Sequence, residues 1–170
     1  MRGSRRQARA TVRRARGILL DVSLDGPRQE GCVLLRPDGD LRHDPLVVPW
    51  PLEDQVVLTA VVTKVLEYVE PGPPANPTWV RWMNELHRVM RPKGKVYLSG
   101  VWGGDEGRWA WEADPCHRIR VTSPMLDHLD PRTDRYARYR PRPWHVHSVT
   151  RVPWHGGVIA YNAILEAQPC

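Results

Sequence analysis

The chain of 170 residues carries 25 Lys and Arg against 19 Asp and Glu, a net charge of +6, and 41% of its residues are hydrophobic. This length and composition suit one globular domain with a proper core and exclude a low-complexity or fibrous chain. No apolar run approaches the roughly 20 residues a membrane-spanning helix needs, and three scattered cysteines, Cys32, Cys116 and Cys170, offer neither a disulfide framework nor zinc-ligand spacing.

The positive charge is localised. Seven arginines and no acid fall between Met1 and Arg16, which leaves 18 basic against 19 acidic residues in the remainder. The expected organisation is therefore a basic arm, residues 1–16, followed by a near-neutral domain, residues 17–170. Arms of this composition bind nucleic acid or remain solvated. In the first case Arg5, Arg6, Arg9, Arg13 and Arg14 are the candidate phosphate contacts, and affinity would fall steeply with salt. Only Ile18, Leu19 and Leu20 follow the arm before Asp21, too short for the apolar core of a signal peptide, so a cytoplasmic protein is expected.

In chain order, Gly17 to Leu24 reads as a buried strand ended by Asp25-Gly26-Pro27, and Cys32 to Leu35 as a second strand closed by Pro37-Asp-Gly-Asp40. The interval between them leaves no room for a full crossover helix. Arg42 to Asp54 is a proline-stiffened loop. Val56 to Val62 is a strand by its β-branched content, and Val65 to Val69 is a short helix candidate before the open loop Pro71-Gly-Pro-Pro74. Asn76-Pro77 starts a helix on which Trp79, Trp82, Met83, Leu86, Val89 and Met90 form one apolar stripe, while Glu85 and Arg88 face away. Pro92 and Gly94 stop that helix, and Val96 to Ser99 is a strand. Val146–Val152 and Val158–Ile164 flank Pro153-Trp-His-Gly-Gly157 as an antiparallel hairpin. Helices feeding strands, with a terminal hairpin, predict an α/β fold with a mainly parallel sheet and reduced helices.

The metal and nucleotide motifs are weak. His145-Val-His147 places two imidazoles on one strand face, yet no ligand set has a diagnostic spacing, so no metal is expected. Gly103-Gly104 lacks the Gly-Lys-Ser/Thr of a phosphate loop. Trp102, Trp109 and Trp111 flank a glycine-rich loop, where they either stack on a planar substrate or pack as a lid. Arg132, Arg135, Arg138, Arg140 and Arg142, interleaved with Tyr136 and Tyr139, suit either nucleic acid or a solvated loop.

Glu85-Leu-His-Arg-Val-Met-Arg-Pro-Lys-Gly-Lys-Val resembles the E-x-x-R-V-L-K-P-G-G segment of class I S-adenosylmethionine-dependent methyltransferases. His43-Asp44, Pro49-Trp-Pro-Leu-Glu-Asp54 and Val65-Leu-Glu-Tyr68 resemble the upstream motifs of that family. Asp114-Pro-Cys-His-Arg118 resembles the D-P-T-H-x-R of a compact branch common in phage and bacterial genomes. The order agrees from Gly17 to Glu166.

The resemblance implies a Rossmann-like fold, S-adenosylmethionine as methyl donor, and a ligand site across the carboxyl edge of the strands. Carried over residue by residue, Asp21, Ser23, Gly26, Arg36, Asp38 and Asp44 are the cofactor-binding candidates. Two depart from the family pattern. Ser23 and Asp25 stand where the glycines of the first turn belong, and Arg36 stands where an acid grips the ribose. Either Gly26 and Asp38 take over those tasks, or the protein is a non-catalytic member of the fold that binds nucleic acid through its arm. If methyl transfer occurs, its acceptor is not named by the sequence, and His117, Glu67 and Tyr68 are the catalytic candidates.

Overall fold

The computed structural model describes residues 17–170, so the predicted basic arm lies outside the described residues. Ten elements carry the fold. They are β1 (Ile18–Ser23), β2 (Val33–Arg36), β3 (Leu41–Arg42), β4 (Val57–Thr63), α1 (Thr78–Val89), β5 (Met90–Val101), α2 (Arg108–Ala113), α3 (Ser123–Leu126), β6 (Trp144–Pro153) and β7 (Ile159–Ala167). The seven strands form one sheet in the order β3-β2-β1-β4-β5-β7-β6. Strands β1 to β5 pair in parallel, and β7 runs antiparallel to both β5 and β6.

Register places the core on one face. Leu20, Ala60, Val96 and Leu165 lie in one row across β1, β4, β5 and β7, and Val22, Val62, Leu98 and Ala163 in the next. All eight are buried, and they pack with α1 and the segments around Trp50, Val121 and Leu129. The alternate positions point the other way, where no helix among the described residues follows β1 or β2, and Leu19 and Tyr97 stay more than 40% exposed. The result is two layers, a sheet and one cover, instead of a sheet covered on both faces.

Helix α1 holds the cover in place. Trp79, Trp82, Met83, Leu86 and Val89 are buried, as the stripe predicts, and Val80, outside that stripe, is buried too. Pro77 caps the helix with an extended backbone, and the first turn begins at Thr78. The helix ends at Val89, three residues before Pro92. Proline disfavours a helical Arg91 and offers no N–H to the Arg88 carbonyl. That carbonyl accepts the Gln55 amide instead, at 2.9 Å. Met90 already pairs with Val57 in β5. At Gly94 a Cβ would stand 2.8 Å from the Arg91 carbonyl and 3.0 Å from that of Leu58, so the turn closes only with glycine.

Three expectations are corrected. The loop after Asp40 contains a strand, β3, whose two residues give too short a pattern to read. The stretch around Trp109 and Trp111 is a helix, α2, preceded by a single 3₁₀ turn. Glu85 and Arg88 do not face away. Glu85 accepts the Trp50 amide at 2.7 Å, while Arg88 donates to the Leu52 carbonyl at 2.9 Å and to both Glu85 and Asp54. A loop that buries backbone groups without secondary structure must find partners for them, and this pair supplies them.

Candidate active site at the carboxyl edge of the sheet

The parallel strands deliver Ser23, Arg36, Arg42, Thr63 and Val101 to one edge. Ser23 pairs with Thr63 across β1 and β4, and Arg36 with Arg42 across β2 and β3. Two clusters of candidate side chains stand there.

The first lies over β1 to β3. Asp21 is buried and its carboxylate accepts the Gln29 amide at 2.9 Å, so it closes the turn between β1 and β2. Ser23 is buried, and its hydroxyl has no partner. Gly26 sits at φ +92°, with nothing within 4 Å of where a Cβ would be. Arg36 reaches back across the edge: its guanidinium donates to the Gly26 carbonyl at 3.0 Å and to the Asp38 carboxylate at 2.5 and 3.2 Å. The bonds from Arg36 hold the exposed Asp38 carboxyl below its ordinary range. Asp44 follows β3, exposed, and one of its carboxylate oxygens accepts the Leu46 amide at 2.8 Å. Arg36 thus joins the end of β2 to Asp38, two residues later, and to the turn after β1.

The second cluster lies over β4 and β5. Tyr68 sits in the 3₁₀ turn Leu66–Tyr68 after β4, and its hydroxyl donates to Asp114 at 2.8 Å. Burial, and then the Asp114 carboxylate, push its phenol well above the ordinary value. His117 is buried, with its ring centroid 4.9 Å from that of Tyr68. Its Nδ1 lies 2.9 Å from the Trp111 carbonyl, and since a carbonyl only accepts, Nδ1 carries the proton. Nε2 is thereby left to take a proton, 3.8 Å from the Asp114 carboxylate. The Cys116 amide, and then Tyr68, hold the Asp114 carboxyl low, so the anion is present to stabilise an imidazolium.

Glu67, the third catalytic candidate, precedes Tyr68 in the same turn but turns its side chain inward. It has no exposed surface, and its Oε1 accepts the Val101 amide at 3.1 Å. A Cβ at Gly100 would run into this carboxylate. The Glu67 carbonyl accepts the amides of Arg118 and Ile119 at 2.7 and 3.0 Å. Burial pushes its carboxyl up, and Oε2 has no partner. The geometry is that of a strut joining the β4 turn, the end of β5 and the segment after His117. Spacing arguments alone miss Asp114 as the hub, because Tyr68 reaches it across 46 residues of chain. The Asp-Pro-x-His motif is the signal that marks it.

Among the described residues no group of three His, Cys, Asp or Glu side chains is placed to hold a metal ion. The His145 and His147 rings stack at 4.2 Å, and the His147 ring lies 3.2 Å from Glu166. Among the same residues no helix is long and apolar enough to cross a membrane. All three cysteines are free thiols.

No family model matches the sequence, and no curated protein matches it. Solved structures match its shape. The chain superposes on a W203A mutant of the 16S rRNA (adenine(1408)-N(1))-methyltransferase from Catenulisporales acidiphilia with a TM-score of 0.57 at 15% identity, covering 96% of this chain and 91% of that one. The chain has the class I S-adenosylmethionine-dependent methyltransferase fold. Similar agreement is found with the antibiotic-resistance methyltransferase Kmr, TM-score 0.55 at 14% identity over 95% and 92% of the two chains. The Burkholderia thailandensis 1,6-didemethyltoxoflavin-N1-methyltransferase, solved with its substrate and S-adenosylhomocysteine, gives a TM-score of 0.59 at 15% identity over 96% of this chain and 78% of that one. The methyltransferase fold is therefore retained with few helices among the described residues.

Proposed function

We propose that the protein is an S-adenosylmethionine-dependent methyltransferase acting on a nitrogen or oxygen nucleophile. The observation that carries this is the Tyr68–Asp114–His117 cluster at the carboxyl edge of a β3-β2-β1-β4-β5-β7-β6 sheet, where an open α/β sheet places its ligand. The donor's fit rests on the first cluster. The unpartnered Ser23 hydroxyl and the Asp38 and Asp44 carboxylates offer acceptors along one edge, and a nucleoside presents hydroxyl and amino donors to them. When bound, S-adenosylmethionine supplies a methyl group activated by its sulfonium charge.

The residues of the chain supply alignment and a place for the acceptor's proton. His117 Nε2 takes that proton, because Nδ1 is committed to the Trp111 carbonyl. Asp114 stabilises the resulting imidazolium, and Tyr68 holds Asp114 in position. Neither Tyr68, with its raised phenol pKa, nor the enclosed Glu67 is suited to act as the base at neutral pH.

Calorimetric titration of S-adenosylhomocysteine into the purified chain tests the reading. Saturable binding that weakens in Asp44→Ala is expected. A flat trace at millimolar ligand discards the enzyme.

One observation favours the second reading, a non-catalytic protein that holds nucleic acid through its arginine arm. Arg36 lies bonded to the Gly26 carbonyl, across the turn where the family's glycines make room. Under that reading donor binding is absent, and deletion of residues 1–16 abolishes salt-sensitive binding to nucleic acid.

A further inference from the structure

A cavity of about 460 Å³ opens beside the second cluster, and none of the candidate donor-binding or catalytic residues lines it. Three rings, Trp79, His128 and Tyr139, belong to its wall, and so do three guanidinium groups, Arg118, Arg120 and Arg135. No acidic residue lines it. The volume falls in the range of small-ligand sites, about 300–1,000 Å³.

The rings pack on one another with 56–87° between their planes, so the platform they form is a faceted aromatic wall. Tyr139 meets Trp79 edge-on at 6.0 Å and His128 at 4.9 Å. His128 Nδ1 donates to the Arg135 carbonyl at 2.6 Å, which leaves Nε2 as a free polar edge on the platform. The opposite wall is the loop Pro71–Pro77. It is fixed by bonds from Thr78 to the Pro71 carbonyl and from Asn76 to the Pro73 carbonyl, both at 3.0 Å. Gly72 has φ +70°, and a Cβ there would strike Thr78. A site whose walls are set before the ligand arrives loses less entropy on binding.

The cations are available. Arg118 faces Glu70 at 3.4 Å, Arg120 faces Glu112 at 3.1 Å and Arg135 faces Asp127 at 3.9 Å. Every side chain in these pairs is 40% exposed or more. Exposed pairs at such distances contribute little, so an incoming anion exchanges for them at small cost. Arginine forks suit phosphate oxygens, and a ring platform suits a base.

We propose that this cavity binds a nucleoside monophosphate unit, the base on the Trp79–Tyr139–His128 platform and the phosphate among Arg118, Arg120 and Arg135. Arg118 and Ile119, both in the cavity wall, follow His117 directly, and Arg120 stacks on Trp111, whose ring in turn stacks on His117. The cavity therefore adjoins the proposed base. That its ligand is the methyl acceptor rests on the methyl-transfer reading; that it binds a nucleotide does not. The same chemistry is offered by a free nucleotide and by one residue of a single strand.

The test is calorimetric titration of guanosine monophosphate into the full chain, with and without saturating S-adenosylhomocysteine. Binding is expected in both, and replacement of guanosine monophosphate by guanosine should weaken it by about tenfold or more, the loss of a charge-assisted phosphate contact. Arg118→Ala combined with Arg135→Ala should weaken guanosine monophosphate by a similar factor of about ten while leaving the melting temperature unchanged, since both side chains are exposed. Tyr139→Leu, which removes the ring and keeps bulk, should weaken guanosine as well. A short single-stranded oligonucleotide that binds more tightly than the monophosphate assigns the unit to a polymer, and equal affinity assigns it to a free nucleotide. No binding of guanosine monophosphate at millimolar concentration, binding indifferent to the arginine pair, or competition with S-adenosylhomocysteine overturns the proposal. Failure of S-adenosylhomocysteine itself to bind leaves the nucleotide titration fully readable and removes only the acceptor role.

Discussion

On one side of the sheet, β1, β2 and β3 run for six, four and two residues and are joined by loops alone. On the other, β5, β6 and β7 run for twelve, ten and nine residues, and α1 feeds β5 directly. The long side holds Trp82, Trp144 and Tyr161, the largest fully buried side chains. The short side holds the donor candidates, whose polar groups are tied to turns. The heaviest packing and the candidate donor edge thus lie apart: truncating a large buried side chain on the long side should unfold the protein, and changing an exposed polar side chain on the short side should alter donor affinity more than it alters the fold.

The largest effect should come from Trp82→Ala. Trp82 is 1% exposed, packs edge-on against Trp50 at 5.3 Å and donates to the Pro45 carbonyl at 2.8 Å. Truncation of a buried tryptophan costs about 3–5 kcal/mol, a large share of the stability of a domain this size. Urea unfolding should show a matching drop, with Trp82→Phe falling between the two. A loss below about 1 kcal/mol would mean that the cover is not anchored here.

A smaller effect, also on the long side, depends on pH. Asp130 is buried at the start of the connection to β6. Burial alone would raise its carboxyl, but the Arg132 guanidinium and the amides of Val146 and Arg132 outweigh it and bring it to about 2. Its Oδ2 lies 2.6 Å from Arg132 and accepts the Val146 amide at 2.9 Å. The folded value lies below the unfolded one, about 3.9, so the contribution is complete above pH ~4 and is lost as pH falls toward 2. It amounts to about 2 kcal/mol. Glu67 behaves oppositely: its raised carboxyl favours the protonated form in the folded state and costs stability as pH rises. Denaturation series at pH 6 and pH 3 should therefore show a loss that Asp130→Asn makes smaller. Equal slopes in the wild type and that variant would show that the Asp130 bonds do not form in solution.

The sequence made the long side easier to read than the short side, for a physical reason. A twelve-residue helix with a sustained apolar stripe, ended by proline and glycine, leaves a strong period and a sharp stop. A two-residue strand such as β3 leaves no period at all, and its position follows only from pairing with β2. Helix α2 is six residues long and keeps Trp109 53% exposed, so no amphipathic pattern announces it. The exposed-looking Glu85 is buried because the loop before β4 needs an acceptor for the Trp50 amide, a demand set by tertiary structure. At the site, the family motifs named Tyr68, Asp114 and His117, and only coordinates could show that one carboxylate joins them. The motifs also named Glu67, whose side chain turns inward.

The smallest predicted effect probes the short side and decides how its donor edge works. By the resemblance to the methyltransferases, Arg36 stands where an acid would accept ribose hydroxyls, and a guanidinium has no acceptor to offer. Its side chain instead spans from Asp38 to the Gly26 carbonyl. The Asp38 side chain is 72% exposed but that of Arg36 only 17%, and Arg36→Glu sets two carboxylates side by side, so the melting temperature should fall modestly while the fold is kept. The substitution removes the bridge over the glycine turn and restores an acceptor at the end of β2. S-adenosylhomocysteine should then bind about tenfold more tightly, the worth of one hydrogen bond to a charged group. Asp38→Ala in the wild-type background should act in the opposite direction, because it deletes the acceptor that stands in for the missing acid. If both variants bind the ligand as the parent does, the end of β2 takes no part in holding the ribose.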